Sequence, residues 1–143
     1  MAENRSTTLD WWAFRSRSSV PETRSAIEQA WARARGLKGG LTFVPRGGGW
    51  QGYESSDVIC FGDMPVGLLA YGGAQQRGWC YASFTGKGLH WMGDYDQAAD
   101  FLQHLTGYSL RRVDIALTTK DGSLTHERVL AAHRSGGFSL GGR

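Results

Sequence analysis

Three short apolar segments, joined by connections too short to hold a helix, place the strongest constraint on how this chain folds. They are DVICF (57–61), VGLLAYG (66–72) and WCYASFTG (79–86). The connections between them, GDMP and GAQQRG, have the lengths of β-hairpin loops. Strands joined by such loops pair antiparallel. The sequence therefore predicts an antiparallel sheet that contains these three strands.

The segment before them predicts one more strand and a helix. The residues LDWWAF (9–14) are typical of a strand. Ser19 and Glu22 in the stretch SVPE form a capping-box pattern, in which each side chain bonds the backbone N–H of the other residue. This pattern predicts a helix that begins after Ser19 and ends at Gly36.

Two further helices complete the predicted order. The segment DYDQAADFLQHLTG (94–107) predicts a helix capped by Asp94 or Asp96, and a last helix begins at Ser123 or Thr125. The order β-α-β-β-β-α-β-α predicts an α+β domain, with a mainly antiparallel sheet of about five strands and helices packed on one face. The opposite face of such a sheet is free to bind a partner.

The stretch RRVDIALTTKDG (111–122) predicts a strand that runs into an Asp-Gly turn. One side of the strand carries Arg112, Asp114 and Ala116, and the other side carries Val113, Ile115 and Leu117. We expect the apolar side to pack on the helices and Asp114 to lie on the open side. The carboxylate of Asp114 could coordinate a divalent cation, or it could form a salt bridge with Arg112 or Arg111. In the open position, Asp114→Asn would cost no more stability than an ordinary substitution.

Length and charge limit the class of protein. The chain has 143 residues, which is enough for one domain with a core that needs no disulfide or metal. Residues 1–38 hold seven basic and four acidic groups, and residues 110–143 hold six and three, so each end carries +3 around a middle of −3. If the two ends meet, they could bind phosphates. With no signal peptide and no apolar run long enough for a membrane span, we expect a soluble, cytoplasmic protein.

No strong catalytic signature stands out from the residues. The four histidines form neither a His-x-His pair nor a His-Glu-x-x-His motif, the two cysteines form no CxxC motif, and the glycines lack the spacing of a Walker loop. Trp50 and Tyr53 lie on the glycine-rich stretch 45–55. Rings held there beside arginines could stack on unpaired bases, or they could pack in the core.

Five short motifs occur in an order that resembles the replication initiation factor family, the rolling-circle initiators of filamentous phages and certain plasmids. They are DWWAF, GGGWQGY, CYASFTGKGLHWM, LRRVDIALTTKDG and SGGFSLGGR. The resemblance implies a protein that recognises a replication origin, nicks one strand through a tyrosine with a divalent metal and later rejoins the ends. Family members often carry further acidic residues just after the strand, where this chain has Thr118 and Thr119. The family also continues past SGGFSLGGR, so residues 1–143 resemble the amino-terminal part of such an initiator.

The resemblance and the residues together predict a DNA-binding amino-terminal domain of a rolling-circle replication initiator. Its expected partners are origin DNA, single-stranded or unwound, and host replication proteins. The predicted metal residue is Asp114, with Mg²⁺ or Mn²⁺ as the ion. The predicted DNA contacts are Arg111, Arg112, Lys87, Trp50, Tyr53 and Arg143. Two alternatives remain: a metal-dependent enzyme that itself nicks and joins DNA, with no tyrosine assigned as nucleophile, and a non-catalytic protein-interaction module.

Overall fold

The structure is a computed structural model that describes residues 5–35, 40–92, 95–119 and 125–136. The chain divides into two compact units, one formed by residues 9–115 and one by residues 1–8 with 116–143. In chain order the elements are β1 (Arg5–Ser16), α1 (Val20–Arg35), β2 (Leu41–Pro45), β3 (Ser55–Phe61), β4 (Met64–Tyr71), a short 3-10 helix (Ala74–Gln76), β5 (Cys80–Thr85), α2 (Gly86–Met92), α3 (Tyr95–Leu102), β6 (Ser109–Thr119) and α4 (His126–Arg134). No helix among the described residues is long and apolar enough to cross a bilayer.

The predicted α+β class is confirmed, with six strands in place of about five. The strand order is β2-β3-β4-β5-β1-β6, and the three predicted hairpin strands are neighbours in it. The additional strand is β2, which pairs antiparallel with β3. Its five residues, LTFVP, end on a proline and precede a run of glycines, so no local pattern marks them. Residues Leu41–Pro45 form a strand because they pair with β3.

One helix was not predicted, and one predicted helix is shorter than expected. The segment that begins at Gly86 is a helix, α2, which its glycines conceal because glycine is a poor helix former. Gly88 is required there, since a Cβ at this position would collide with the backbone of Val66. The helix predicted over 94–107 ends at Leu102, and turns follow it as far as Gly107, whose φ is +65°. The predicted caps at Asp94 and Ser123, the end at Gly36 and the Asp121-Gly122 turn lie outside the described residues.

The two other helix starts were predicted correctly. The Glu22 carboxylate accepts from the backbone N–H of Ser19 at 3.0 Å, and the hydroxyl of Ser19 accepts from the N–H of Glu22 at 3.2 Å. This is the capping box at the start of α1. In the second unit the hydroxyl of Thr125 accepts from the N–H of Arg128 at 3.2 Å, which caps α4.

The core of the 9–115 unit lies between one face of the sheet and the helices. Trp12 and Phe14 of β1 point into it, opposite Phe84 and Ala82 of β5, and all four are almost fully buried. Trp31 of α1 stacks on Phe84 with ring centroids 6.1 Å apart, so the helix packs directly on the sheet. Within β1, Trp12, Phe14 and Ser16 are therefore the residues that point into the core.

A buried ion pair joins α1 to the sheet. Arg24 donates from Nε and from a terminal nitrogen to one oxygen of Asp57, at 2.8 and 2.6 Å. Tyr71 donates to the other oxygen of Asp57 at 2.9 Å, and Asp57 is completely buried. Burial, and then this hydrogen bond, raise the pKa of Tyr71. Three elements, α1, β3 and β4, thus meet at one carboxylate.

The apolar side of β6 does not pack on helices, so that expectation was wrong. The exposed fractions are 42% for Val113, 68% for Ile115 and 55% for Leu117. The reason is the position of the strand: β6 lies at the end of the strand order, with β1 as its neighbour. The apolar core of the described residues draws no side chain from β6.

We expect Arg24→Met to destabilise the protein by roughly 3 kcal/mol, because it leaves the Asp57 carboxylate buried without its cation. Breaking a buried pair typically costs about 3–5 kcal/mol, and the side chain of Arg24 is one-third exposed, which favours the lower end. Arg33→Met, which removes the same charge from an exposed position on the same helix, is the control. Urea denaturation measures both, and equal losses for the two variants would contradict the prediction.

Candidate nucleic-acid interface

The face of the sheet opposite the helices is defined by alternate residues of the second half of β1. Trp11, Ala13 and Arg15 lie on it, and Arg15 stands opposite Tyr81 of β5. Ala13 stands opposite Ser83, and these two small residues are almost fully buried between the larger side chains. We call this surface the open face.

The glycine-rich loop brings two more rings onto the open face. The N–H of Tyr53 donates to the carbonyl of Trp50 at 3.0 Å, which closes a two-residue turn. Gln51 and Gly52 both have positive φ, 56° and 83°, as a type I′ turn requires. Trp50 and Tyr53 thereby pack against Tyr81 with centroids 5.4 and 6.3 Å away. Burial raises the pKa of Tyr53, so its hydroxyl is protonated at neutral pH.

Three arginines stack on two tryptophans at the open face. The guanidinium of Arg112 lies 3.9 Å from the ring centroid of Trp11. Those of Arg15 and Arg17 lie 4.1 and 4.6 Å from the ring centroid of Trp79. A guanidinium attracted to a ring face keeps its N–H edges available to a further acceptor. The rings therefore position positive charge at both ends of the stretch from Trp11 to Arg17.

Two polar atoms of β1 on this face are buried without a hydrogen-bond partner. They are Nε1 of Trp11 and Nε of Arg15. Both are donors only, and an unmet buried donor costs free energy. The open face therefore combines stacked cations with two buried donors that have no partner.

Asp114 forms a salt bridge with Arg112 on the same side of β6. Nε of Arg112 donates to both carboxylate oxygens at 3.1 Å, and a terminal nitrogen donates to one of them at 2.6 Å. The side chains are 49% and 38% exposed for Arg112 and Asp114. This hydrogen bonding lowers the pKa of Asp114 and raises the pKa of Arg112. Of the alternatives that the sequence left open, the structure shows the salt bridge with Arg112.

A metal role for Asp114 stays a prediction. A divalent cation prefers several oxygen ligands, and the described residues gather no group of three His, Cys, Asp or Glu side chains around one point. Since the carboxylate of Asp114 is also engaged by Arg112, the described residues do not form a metal site there. No chemical step through a metal follows from this arrangement.

The structure brings together some of the predicted DNA contacts and not others. Trp50 and Tyr53 meet at Tyr81, which also interacts electrostatically with Arg112. Arg111 is exposed on β6, but it lies on the opposite side of the strand from Arg112. Lys87 is exposed on α2, outside the sheet. Arg143 lies outside the described residues.

Sequence reasoning missed the arginine–tryptophan pairs of β1. The stretch WWAFRSR, residues 11–17, already alternates Trp11, Ala13, Arg15 and Arg17 with apolar or small residues. A strand extended to Ser16, where β1 ends, would have shown that Trp11, Ala13 and Arg15 share one side. No local sequence pattern showed that Trp79 would stack with Arg15 and Arg17, or that Arg112 would stack on Trp11.

Comparisons with known proteins agree with this fold. No protein-family model matches the chain, and no curated protein matches it in sequence. Among solved structures it is similar to a rolling circle replication initiator protein from Geobacillus stearothermophilus, with a TM-score of 0.64 and 16% sequence identity. The superposition covers 92% of this chain and 51% of that chain, so this chain spans about half of that structure. The chain thus shares its fold with part of that structure.

Removal of Arg112 should return the pKa of Asp114 to the ordinary carboxyl range. Because the folded-state pKa is lowered, the stabilising effect of this pair is present above the ordinary pKa and is lost as pH falls through the lowered one. In an NMR pH titration, Arg112→Gln should raise the midpoint of the Asp114 carboxyl. Arg111→Gln removes the same charge one residue away and should leave the midpoint low. An equal shift in both variants would mean that net charge, not the hydrogen bonds, sets the pKa.

Proposed function

We propose that this chain is a DNA-binding domain of a rolling-circle replication initiator and that the open face is its DNA surface. The observation that carries the proposal is the stacking of Arg112 on Trp11 and of Arg15 and Arg17 on Trp79. The fold shared with a rolling circle replication initiator protein supports the same class. The DNA partner that we propose is a replication origin, single-stranded or unwound.

The charge of the open face favours phosphates. Arg15, Arg17 and Arg112 contribute three positive charges, and Asp114 contributes one negative charge. Contacts between arginines and phosphates release counterions from DNA, which supplies affinity regardless of base sequence.

The rings of the open face favour unpaired bases. Trp50 and Tyr81, both half-buried, lie beside Arg15 and pack with Tyr53, which is itself buried. Stacking of a base on an aromatic side chain contributes about 1–3 kcal/mol per base and does not depend on the identity of the base. Such stacking needs a base outside the duplex. A single strand that follows β1 from Trp11 to Arg17 would meet a stacked arginine at each end of this stretch and rings between them.

We expect binding to single-stranded DNA that weakens steeply with salt, and Arg112→Gln to weaken it further. Each lost phosphate contact should reduce the slope of log affinity against log salt by about 0.7 for a single strand. Fluorescence anisotropy with a labelled oligonucleotide across a salt series measures both effects. Arg15→Gln should act in the same direction, because Arg15 lies on the same face.

The matched control for these variants is Arg33→Gln. Arg33 is an exposed arginine on α1, on the helix side of the sheet, and it stacks on Phe101 as Arg112 stacks on Trp11. The Arg33→Gln variant should leave both the affinity for single-stranded DNA and its dependence on salt unchanged. Absence of binding at low salt, or equal losses for Arg33→Gln and Arg112→Gln, would refute the open face as the DNA surface.

The alternative that this chain alone is a nicking enzyme predicts a different result. It would need a metal site at Asp114, and the described residues do not assemble one. We expect no conversion of supercoiled origin plasmid to open circle with either Mg²⁺ or Mn²⁺. Metal-dependent nicking that is lost on substitution of one of the five tyrosines would favour the enzyme instead.

A further inference from the structure

The contacts proposed above for the open face supply affinity, but they do not distinguish one base from another. Arginine–phosphate contacts are independent of base sequence, and stacking on a ring accepts any base. Selection among bases requires side chains that form hydrogen bonds with base edges. A domain that selects an origin therefore needs such side chains next to the rings.

Two loops beside the open face are tied together by a hydrogen bond. The first (46–54) contains the type I′ turn described above, and the second (72–79) joins β4 to β5. Nε2 of Gln76 in the second loop donates to the carbonyl of Gly52 in the first at 2.9 Å. Each loop also contributes a tryptophan to the open face. We call these two segments the tied loops.

Further contacts fix the first of the tied loops in one shape. The hydroxyl of Ser56 donates to the carbonyl of Gly48 at 2.7 Å, and the N–H of Glu54 donates to the carbonyl of Gly72 at 3.3 Å. Gly49 packs so closely that a Cβ there would collide with the carbonyl oxygen of Tyr53. The loop therefore presents its exposed side chains from a fixed backbone.

Two exposed side chains of the tied loops stand on left-handed backbone. Gln51 has a φ of 56° and Arg77 a φ of 50°, and among the described residues these are the two non-glycine residues with positive φ. This backbone is unfavourable for a residue with a Cβ, and the first central position of a type I′ turn normally holds asparagine, aspartate or glycine. Within the described part of the chain, neither side chain forms a hydrogen bond or an ion pair. Unfavourable backbone of this kind is concentrated at ligand sites.

We propose that Gln51 and Arg77 read the base edges of a single strand bound on the open face, an inference that rests on the proposed function. The amide of a glutamine matches N6 and N7 of adenine, and a guanidinium matches O6 and N7 of guanine. Gln51 directly follows Trp50, which is half-buried and so keeps part of its ring available to a base. The expected ligand is single-stranded DNA with an adenine beside the base stacked on Trp50 and a guanine near Arg77.

Fluorescence anisotropy with labelled single strands tests the reading of bases. The strands are a short oligothymidylate and the same oligomer with one central adenine or one central guanine. We expect the wild type to prefer each purine-containing strand by about fivefold or more, as is typical of a bidentate contact. Gln51→Gly should abolish the preference for adenine and leave the binding of oligothymidylate unchanged, because glycine adopts the same backbone without a side chain. Arg77→Gly should abolish the preference for guanine.

Gln51→Glu tests the pairing of donors and acceptors directly. A carboxylate accepts from N4 of cytosine but cannot donate to N7 of adenine. This variant should therefore prefer a central cytosine to a central adenine. Because its added negative charge lowers the affinity for every strand, the two strands are compared as a ratio. A role of Gln51 in folding alone would leave that ratio unchanged and would overturn the proposal.

Gln103→Gly is the matched control. Gln103 is an exposed glutamine that follows α3, whose Ala98 and Leu102 pack in the core on the helix side of the sheet. It should keep both purine preferences. Equal binding of the thymine, adenine and guanine strands, or the same loss in Gln103→Gly as in Gln51→Gly, would overturn the reading of bases and leave the open face as a DNA surface. Failure of every strand to bind at low salt would refute both proposals.

Discussion

The alternation of side chains along β1 is the constraint on which the rest of the structure depends. Trp12 and Phe14 point into the core, and Trp11 and Arg15 point to the open face. A slip of one residue would move the tryptophan and phenylalanine out of the core and bury the arginine. Because the core fixes the register, the stability of the fold and the geometry of the proposed DNA surface are set by the same strand pairing.

Two ion pairs show how burial assigns different roles to the same chemistry. Arg24 and Asp57 join a helix to the sheet, where the completely buried carboxylate must be paired and hydrogen-bonded to be tolerated. Arg112 and Asp114 are both exposed, so water screens their attraction and the pair contributes little to stability. The arginine of the exposed pair is free to exchange its carboxylate for a phosphate. For this reason we place the proposed DNA contact at Arg112 and Asp114, and not at Arg24 and Asp57.

The two faces of the sheet and its β6 edge carry different kinds of side chain. Helix α1 covers one face of the sheet, where its Trp31 stacks on Phe84 of β5. The opposite face holds arginines on tryptophan rings and a loop that stacks Trp50 on Tyr81. The β6 edge adds an apolar stripe that neither face accounts for.

The sequence by itself determined the α+β class, the hairpin strands and the caps of two helices, because each depends on hydrogen bonds or periodicity within a few residues. It also placed Arg112 and Asp114 on one side of their strand. Only the tertiary structure decided that β2 is a strand, that Asp57 is buried against Arg24 and that the apolar side of β6 is exposed. It also stacked Arg112 on Trp11, about 100 residues earlier in the chain. The physical reason is that strand order and helix packing are set by contacts between distant segments, and no local pattern records which distant segment will become the neighbour.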